Sequence, residues 1–250
     1  PVWILRVARF AARFARRGFR VAHATNDLMR DRVRSGEVDH LVPERVWAEL
    51  EKALMENTPA RFFDVLYGCG ALARLFPEVE PLYLDRSPRE HGHGDSVLPV
   101  LEESVKHGRQ PDIHFAALVC DIRNHEAAVF DPAQLSALCD RLRIPNAFRK
   151  LASMALQHSH RAQSASTLSA TQQLELLEDL DAFRRPERFS QFLQVCATEA
   201  GAHGLPDSSE RLGTALAAAR SVDAGRLQQQ GISGKALGEA IRKARIDAIR

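Results

Sequence analysis

Five arginines near the beginning of the chain, Arg6, Arg9, Arg13, Arg16 and Arg17, recur at three- and four-residue spacing. In a helix that spacing gathers them on roughly one quarter of the circumference and puts Trp3, Val7, Phe10 and Phe14 on the opposite side, where a core would lie. A guanidinium fork matches a pair of phosphate oxygens, and five forks on one face repel each other unless anions or carboxylates compensate them. Phosphate binding is one chemistry such a face can do. The other reading is a solvated face held by ion pairs to neighbours such as Glu44 or Glu49. Two features favour phosphate: no acidic residue lies between Pro1 and Asp27, and the segment uses arginine without a single lysine. A second basic cluster, Lys235, Arg242, Lys243 and Arg245, lies in the last helical segment.

The remaining reactive side chains assemble no recognisable catalytic set. Asp179-Leu-Asp181 lies on a helical pattern, where residues two apart diverge and cannot share a metal, so it reads as a solvated helix face. His91, His93, Asp95 and His125 have a His-x-His spacing that suits metals in loops. Gly92 and Gly94 make a surface turn the simpler reading there. His158 and His160 read as cations at the negative end of a helix. Ser159-His160 has neither the turn nor the acid partner of a nucleophile, and Glu102-Glu103 and Glu178-Asp179 read as adjacent charges on helix faces. Cys69, Cys120, Cys139 and Cys196 form no CxxC pair and read as buried thiols. No catalytic residue and no metal ligand is assigned.

The elements that must position these residues are helices. Apolar residues recur at three- and four-residue spacing almost throughout, and alternating β-branched runs are nearly absent, so the fold is expected to be all-α. With 250 residues, 45% of them hydrophobic, the chain can bury a core or split into helical subdomains. The first helix is expected from about Val2 to Arg17, ended by Gly18 in a left-handed turn. The second begins near Thr25 or Asn26 and fades at Ser35-Gly36. Pro43 and Pro59, the latter after a capping Thr58, open two more, and Gly68 and Gly70 break the second of these. The Pro- and Gly-rich stretch from Pro77 to Gly94 holds a boundary. Helices follow around Asp95–His107, Asp112–Ile122, Pro132–Leu142 and Asn146–His158, then a polar linker, Ser159–Ser169, and a final group from Thr171. No stretch approaches the roughly 18 apolar residues of a membrane span and no secretion signal is visible, which leaves the cytoplasm as the default compartment. The formal net charge of +2 means that any basic function must come from local clustering. Residue 1 is Pro rather than Met, so further sequence is expected upstream.

Ile4-Leu-Arg-Val-Ala-Arg-Phe-Ala-Ala-Arg-Phe followed by Gly18-Phe-Arg-Val resembles the first neck helix of bacterial CCA-adding tRNA nucleotidyltransferases. Leu41-Val-Pro-Glu-Arg-Val-Trp-Ala-Glu-Leu resembles their next neck motif. The likeness continues, in order and over most of the chain, through Phe62-Phe-Asp-Val-Leu-Tyr-Gly-Cys-Gly-Ala-Leu, Leu75-Phe-Pro-Glu, Phe115-Ala-Ala-Leu, Leu142-Arg-Ile-Pro-Asn and Gly231-Ile-Ser-Gly-Lys-Ala-Leu-Gly. The resemblance implies a neck over residues 1–76, a degenerate His-Asp-type body over 77–160 and a helical tail over 161–250. It implies tRNA as partner, held by shape and phosphate, with Arg6, Arg9 and Arg13 near the acceptor end and Arg16 as a further phosphate-binding candidate. Lys235 and Arg242 would add an RNA contact in the tail or a plain solvated face. Arg45 is the family's second neck arginine, expected to pair with Glu49 one turn on, and Gly231, Gly234 and Gly238 are expected to serve turns and close packing.

The same resemblance marks what these residues lack. In the family a head domain with a Gly-Gly loop and an Asp-x-Asp pair uses magnesium with CTP and ATP; neither motif is present, so no cofactor is expected in this chain. The base-pairing template, an acidic pair followed by an arginine, would begin before Pro1, and Trp3 stands at its arginine. Where many relatives carry a His-Asp metal site, Leu118-Val-Cys-Asp-Ile-Arg-Asn-His puts Cys120 at the histidine and Asp95 at an upstream histidine position. Three readings follow: part of a nucleotidyltransferase whose head is upstream or on a separate chain, a stand-alone tRNA-binding pseudoenzyme, or a phosphohydrolase with a rebuilt site. The first ranks highest, with neither a membrane nor DNA as partner.

Overall fold

The structure, a computed structural model, describes residues 2–84, 96–108, 110–125, 130–223, 225–226 and 233–250. Among them there are helices and no strand, as the periodicity implies. The helices divide into two units, Pro1–Leu156 and Gln157–Arg250.

In the first unit, α1 (Val2–Phe14) continues into a tight 3-10 turn, Ala15–Arg17, and ends at Gly18 with φ +77°. It packs on α3 (Pro43–Leu54) and α4 (Ala60–Gly68). Its buried face is Ile4, Leu5, Ala8, Ala11 and Ala12, and not the Trp3–Phe14 side: Phe10 is 43% exposed. Alanines let the backbones approach closely, so the face richest in small residues goes inward and the bulky aromatic one is left at the rim. Between them, α2 (His23–Arg34) starts at His23 behind an extended Ala22, two or three residues earlier than Thr25 or Asn26 implies. Pro43 does open α3, whereas Pro59 takes the cap position and α4 opens one residue later. Gly70, at φ +79°, turns the chain into α5 (Ala71–Leu75), and α6 (Pro81–Leu84) follows. Phe62, Phe63 and Phe76 interlock edge to face at 5.3, 6.1 and 5.9 Å, in the range where aromatic pairs add to simple burial.

The rest of this unit is α7 (Pro99–Lys106), α8 (Pro111–Asn124), α9 (Pro132–Arg141) and the first part of α10 (Asn146–Gln163). Helix α8 is buried on all sides from Ile113 to Ile122, as a helix apolar around its circumference must be. Trp47 of α3 packs edge-on against Phe115 of α8 and Phe148 of α10, at 5.7 and 4.8 Å, and joins the three helices. Among the polar residues buried in the same packing, Asp121 has a defined task. Both oxygens of Asp121 accept backbone N–H bonds at 2.9 Å, from Val100 and Leu101. Those two donors belong to the first turn of α7, where no preceding residue can bond them, and Leu98 at the cap position supplies no side-chain acceptor.

The second unit begins within α10, which runs on to Gln163 through much of the stretch read as a polar linker; Ser159 and Ala162 are fully buried. It contains α11 (Ala170–Asp179), α12 (Pro186–Ala202), α13 (Glu210–Arg220) and α14 (Gly234–Ile249). Ser169 and Gln172 cap α11 reciprocally, and α11, α13 and α14 pack on one another. Asp181 lies beyond the end of α11 at φ +51°, so Asp179 and Asp181 do not share a helix. Gly234 turns at φ +59°, but a Cβ at Gly238 would meet nothing within 4 Å, so that glycine is not there for close packing; Gly231 lies outside the described residues. None of the described helices is long and apolar enough to cross a membrane.

Replacing Asp121 by Ala strands two buried N–H groups and is expected to lower stability by about 2 kcal/mol. Urea unfolding followed by circular dichroism measures this; an Asp121→Ala chain as stable as the parent would show that the cap contributes nothing.

Candidate nucleic-acid interface

The amino-terminal helix sorts its arginines by where α3 places its acids. Glu49 is 5% exposed and points at α1, where it accepts from the Arg9 Nε at 2.9 Å; Glu56, just beyond the end of α3, takes the same guanidinium at 3.3 Å. Burial works against the Arg9 charge, yet the bonds and charges of Glu49 and Glu56 outweigh it and hold the guanidinium above its ordinary pKa. Arg6 and Lys52 add looser contacts to Glu49, each at 3.7 Å. Arg45 is not in this group. It is exposed, with no ion pair among the described residues, because Glu49 turns inward toward Arg9 and away from the neighbour one turn back.

The other arginines remain uncompensated. Arg13, Arg16, Arg17 and also Arg20, which the stripe did not include, are exposed and have no carboxylate partner among the described residues. They cluster at the carboxyl end of α1, the negative pole of the helix, where cations are favoured. Arg13 and Arg17 lie against the Phe14 ring at 5.5 and 5.8 Å, within the range of cation–π attraction, which holds them at the surface without neutralising them. Beyond Gly18 the surface dips into a cleft of about 450 Å³ lined by Arg20, His23, Asn26, Arg61 and Asp64 among others. Its floor is fixed by the Arg61–Asp64 ion pair at 3.3 Å and by the Tyr83 hydroxyl donating to Asp64 at 3.1 Å. Arg61 carried no sequence signal, since a single arginine on a helix is ordinary; Arg20 was legible as part of the acid-free opening.

In the tail, Arg242 is engaged by Glu175 and Glu178 at 3.5 and 3.6 Å, and Arg245 sits over the Phe183 ring at 4.2 Å. Lys235 is largely exposed, 3.8 Å from Glu239, and Lys243 is exposed. The basic cluster there is thus partly committed to holding α14 on α11.

The His-Asp segment is built as structure. Cys120 is fully buried and Asp121 caps α7. His91, His93 and Asp95 lie outside the described residues, and among the described ones no three His, Cys, Asp or Glu side chains gather as metal ligands. All four cysteines are buried and none is in a disulfide, and burial pushes the Cys139 thiol up to about 11. Asp179 is paired with Arg161 at 3.1 Å and Asp181 with Arg185 at 3.0 Å. His158 lies in the body of α10 and not at its end; burial lowers its pKa against the pull of Asp179, so it is no helix-end cation.

Residues 18–83, spanning the Gly18 turn, the cleft and α2 to α6, match the family model described as the probable RNA and SrmB-binding site of polymerase A. Among solved structures, one titled "tRNA-processing enzyme (apo form I)" aligns with the whole chain and 59% of its own at a TM-score of 0.57 and 17% identity. A second, "Structure of tRNA-processing enzyme complex 3", aligns with the whole chain and 62% of its own at 0.57 and 16%. The fold is therefore the all-helical architecture found in such enzymes. In sequence the chain is 44% identical to the multifunctional CCA protein of Thioalkalivibrio sulfidiphilus, 41% to that of Nitrosococcus oceani and 42% to that of Burkholderia vietnamiensis, each alignment covering all of this chain. Over its whole length the chain is thus similar to multifunctional CCA proteins. It spans 66%, 66% and 65% of the length of those relatives, slightly under two thirds.

Two outcomes test this site. Glu49→Ala leaves the part-buried Arg9 with Glu56 alone and is expected to cost about 3 kcal/mol by urea unfolding; a cost below about 1 kcal/mol would place the Arg9 pair among weak surface contacts. For His158, the folded pKa lies below the unfolded one, so the unfolded chain binds the extra proton first. Stability is complete above the ordinary histidine value of about 6.5 and falls as pH drops through it. Thermal melts between about pH 7.5 and 5.5 should show this decline, and His158→Gln should flatten it.

Proposed function

We propose that this chain is the tRNA-holding part of a CCA-adding tRNA nucleotidyltransferase, acting in the cytoplasm on tRNA 3′ ends. The observation that carries the reading is the group of exposed arginines at the end of α1, Arg13, Arg16, Arg17 and Arg20, that have no carboxylate partner among the described residues. It adjoins the cleft within the matched residues 18–83. Arginine forks bind phosphate oxygens irrespective of sequence, and A-form RNA is recognised by backbone and shape because its deep major groove is closed to side chains. Residues 1–76 would serve as neck, 77–160 as a body whose His-Asp site has become structural, and 161–250 as tail. Arg6, Arg9 and Arg45 would border the phosphate face, with Lys235 and Lys243 as the tail's contribution.

Nucleotide addition needs metal-clamped phosphates and a positioned 3′ hydroxyl. The Asp179 and Asp181 carboxylates are committed to Arg161 and Arg185 and do not fit a shared magnesium ion. That chemistry, with CTP and ATP, would come from a nucleotidyltransferase head upstream or on a separate chain. These 250 residues would hold tRNA and add nothing to it. A rebuilt phosphohydrolase would need Asp121 as ligand, and the capping of α7 argues against that reading.

The test is binding to tRNA lacking its terminal CCA across a salt series, with CTP, ATP and magnesium added to detect incorporation. Micromolar or tighter binding that weakens with salt, without incorporation, is expected. The combined Arg13→Ala, Arg16→Ala and Arg17→Ala variant should lower the slope of log affinity against log salt by about 2 to 3. No binding at low salt would overturn the proposal.

A further inference from the structure

Resting on the reading of this face as RNA-binding, the geometry points to a second, distinct element of recognition: a stacking platform for an unpaired RNA strand, made by Phe10, Phe14 and Phe19. The three rings form a continuous run. Phe10 and Phe14, one helical turn apart, are parallel within 6° at 6.2 Å between centroids, and Phe19 lies 6.4 Å from Phe14. The last contact exists because the chain reverses at Gly18. The Phe19 N–H donates to the Phe14 carbonyl at 3.3 Å and the Gly18 N–H to Ala15 at 2.9 Å, the paired closure of a helix end with a left-handed glycine. That closure folds Phe19 back against Phe14 and leaves both outer rings, Phe10 and Phe19, 43% exposed. Trp3 and Val7, half-buried, continue the same side of α1.

Large exposed aromatics in a row need an occupant, and the charge around them selects its chemistry. Arg9 lies 5.3 Å from the Phe10 ring, and Arg13 and Arg17 flank Phe14. No acid occurs before Asp27. An apolar protein surface would bury the rings but would leave Arg13, Arg16 and Arg17 uncompensated. An unpaired strand supplies both halves: base faces for the rings and phosphates for the forks. A duplex cannot do so, because its bases are already stacked on each other. The platform therefore takes single-stranded RNA, while the arginines and the cleft hold backbone of any form.

The experiment measures two probes by fluorescence anisotropy on the full chain: a labelled oligocytidylate about a dozen nucleotides long and tRNA lacking CCA. The variants are Phe10→Ala/Phe19→Ala and Phe10→Tyr/Phe19→Tyr, with circular dichroism to confirm that each folds. The alanine pair is expected to weaken oligonucleotide binding about tenfold or more with an unchanged salt slope, because stacking releases no counterions. The tyrosine pair, which keeps the ring faces, should remain within about twofold. If the alanine pair binds the oligonucleotide like the parent while tRNA still binds, the platform is refuted and the tRNA reading stands. If the alanine pair keeps its RNA affinity but loses association with a nucleotidyltransferase head added in trans, the face is a protein interface and the platform is likewise refuted. Failure of the parent chain to bind either RNA at low salt would overturn both.

Discussion

The Glu49 carboxylate sets the orientation of α1, and the surface of the amino-terminal region follows from it. A buried acid must be paired, and the 2.9 Å bond from Arg9 is what pairs it. Once Arg9 faces α3, the 3.6-residue period fixes every other side chain of α1. Ala8, Ala11 and Ala12 meet the neighbouring helices, Arg13 stands off the helix pair, and Phe10 and Phe14 fall on the remaining side. One ion pair thus separates a single inward arginine from a group left outward. Had Glu49 paired with Arg45 along its own helix, Arg9 would have been left part-buried without its closest acid.

The same logic, an acid placed where donors need it, explains the body. Asp121 follows Cys120 in a helix buried on all sides, and its carboxylate accepts from a helix start, where otherwise unsatisfied N–H groups carry partial positive charge. A metal would compete for the same oxygens. Rebuilding a metal centre around this residue would draw on the oxygens that cap the first turn of α7, so the two roles compete.

Much of the architecture was legible because helices announce themselves by period and punctuation: Pro43 at a helix start, Gly18 and Gly70 at reversals. The misread features have separate physical causes. Ranking by hydrophobicity sends Phe10 and Phe14 inward, but helix pairs that pack closely select small residues, and Ala8 or Ala12 carries almost no hydrophobic signal on its own. Ser159 reads as linker because its hydroxyl looks solvated, although a helix can bury it entirely. Glu49 was visible as an ion-pair acid, and its long-range partner Arg9 was a candidate alongside the local Arg45. Spacing along one helix cannot decide between them, since the deciding fact is which way α3 turns its face.

The distribution of acids, more than that of bases, marks out the proposed interface. Basic and acidic residues are nearly balanced over the chain, 34 against 32. In the second unit the arginines of α10 and α14 meet Glu175, Glu178 and Asp179 across helix pairs, where they fasten one helix to the next. Along α1 beyond Arg9 there are no such acids in reach among the described residues, and the guanidiniums are instead steadied by aromatic rings, which attract a cation without cancelling its charge. A positive field survives where the sequence withholds carboxylates. Phosphate is the ligand proposed for such a field, held beside exposed rings.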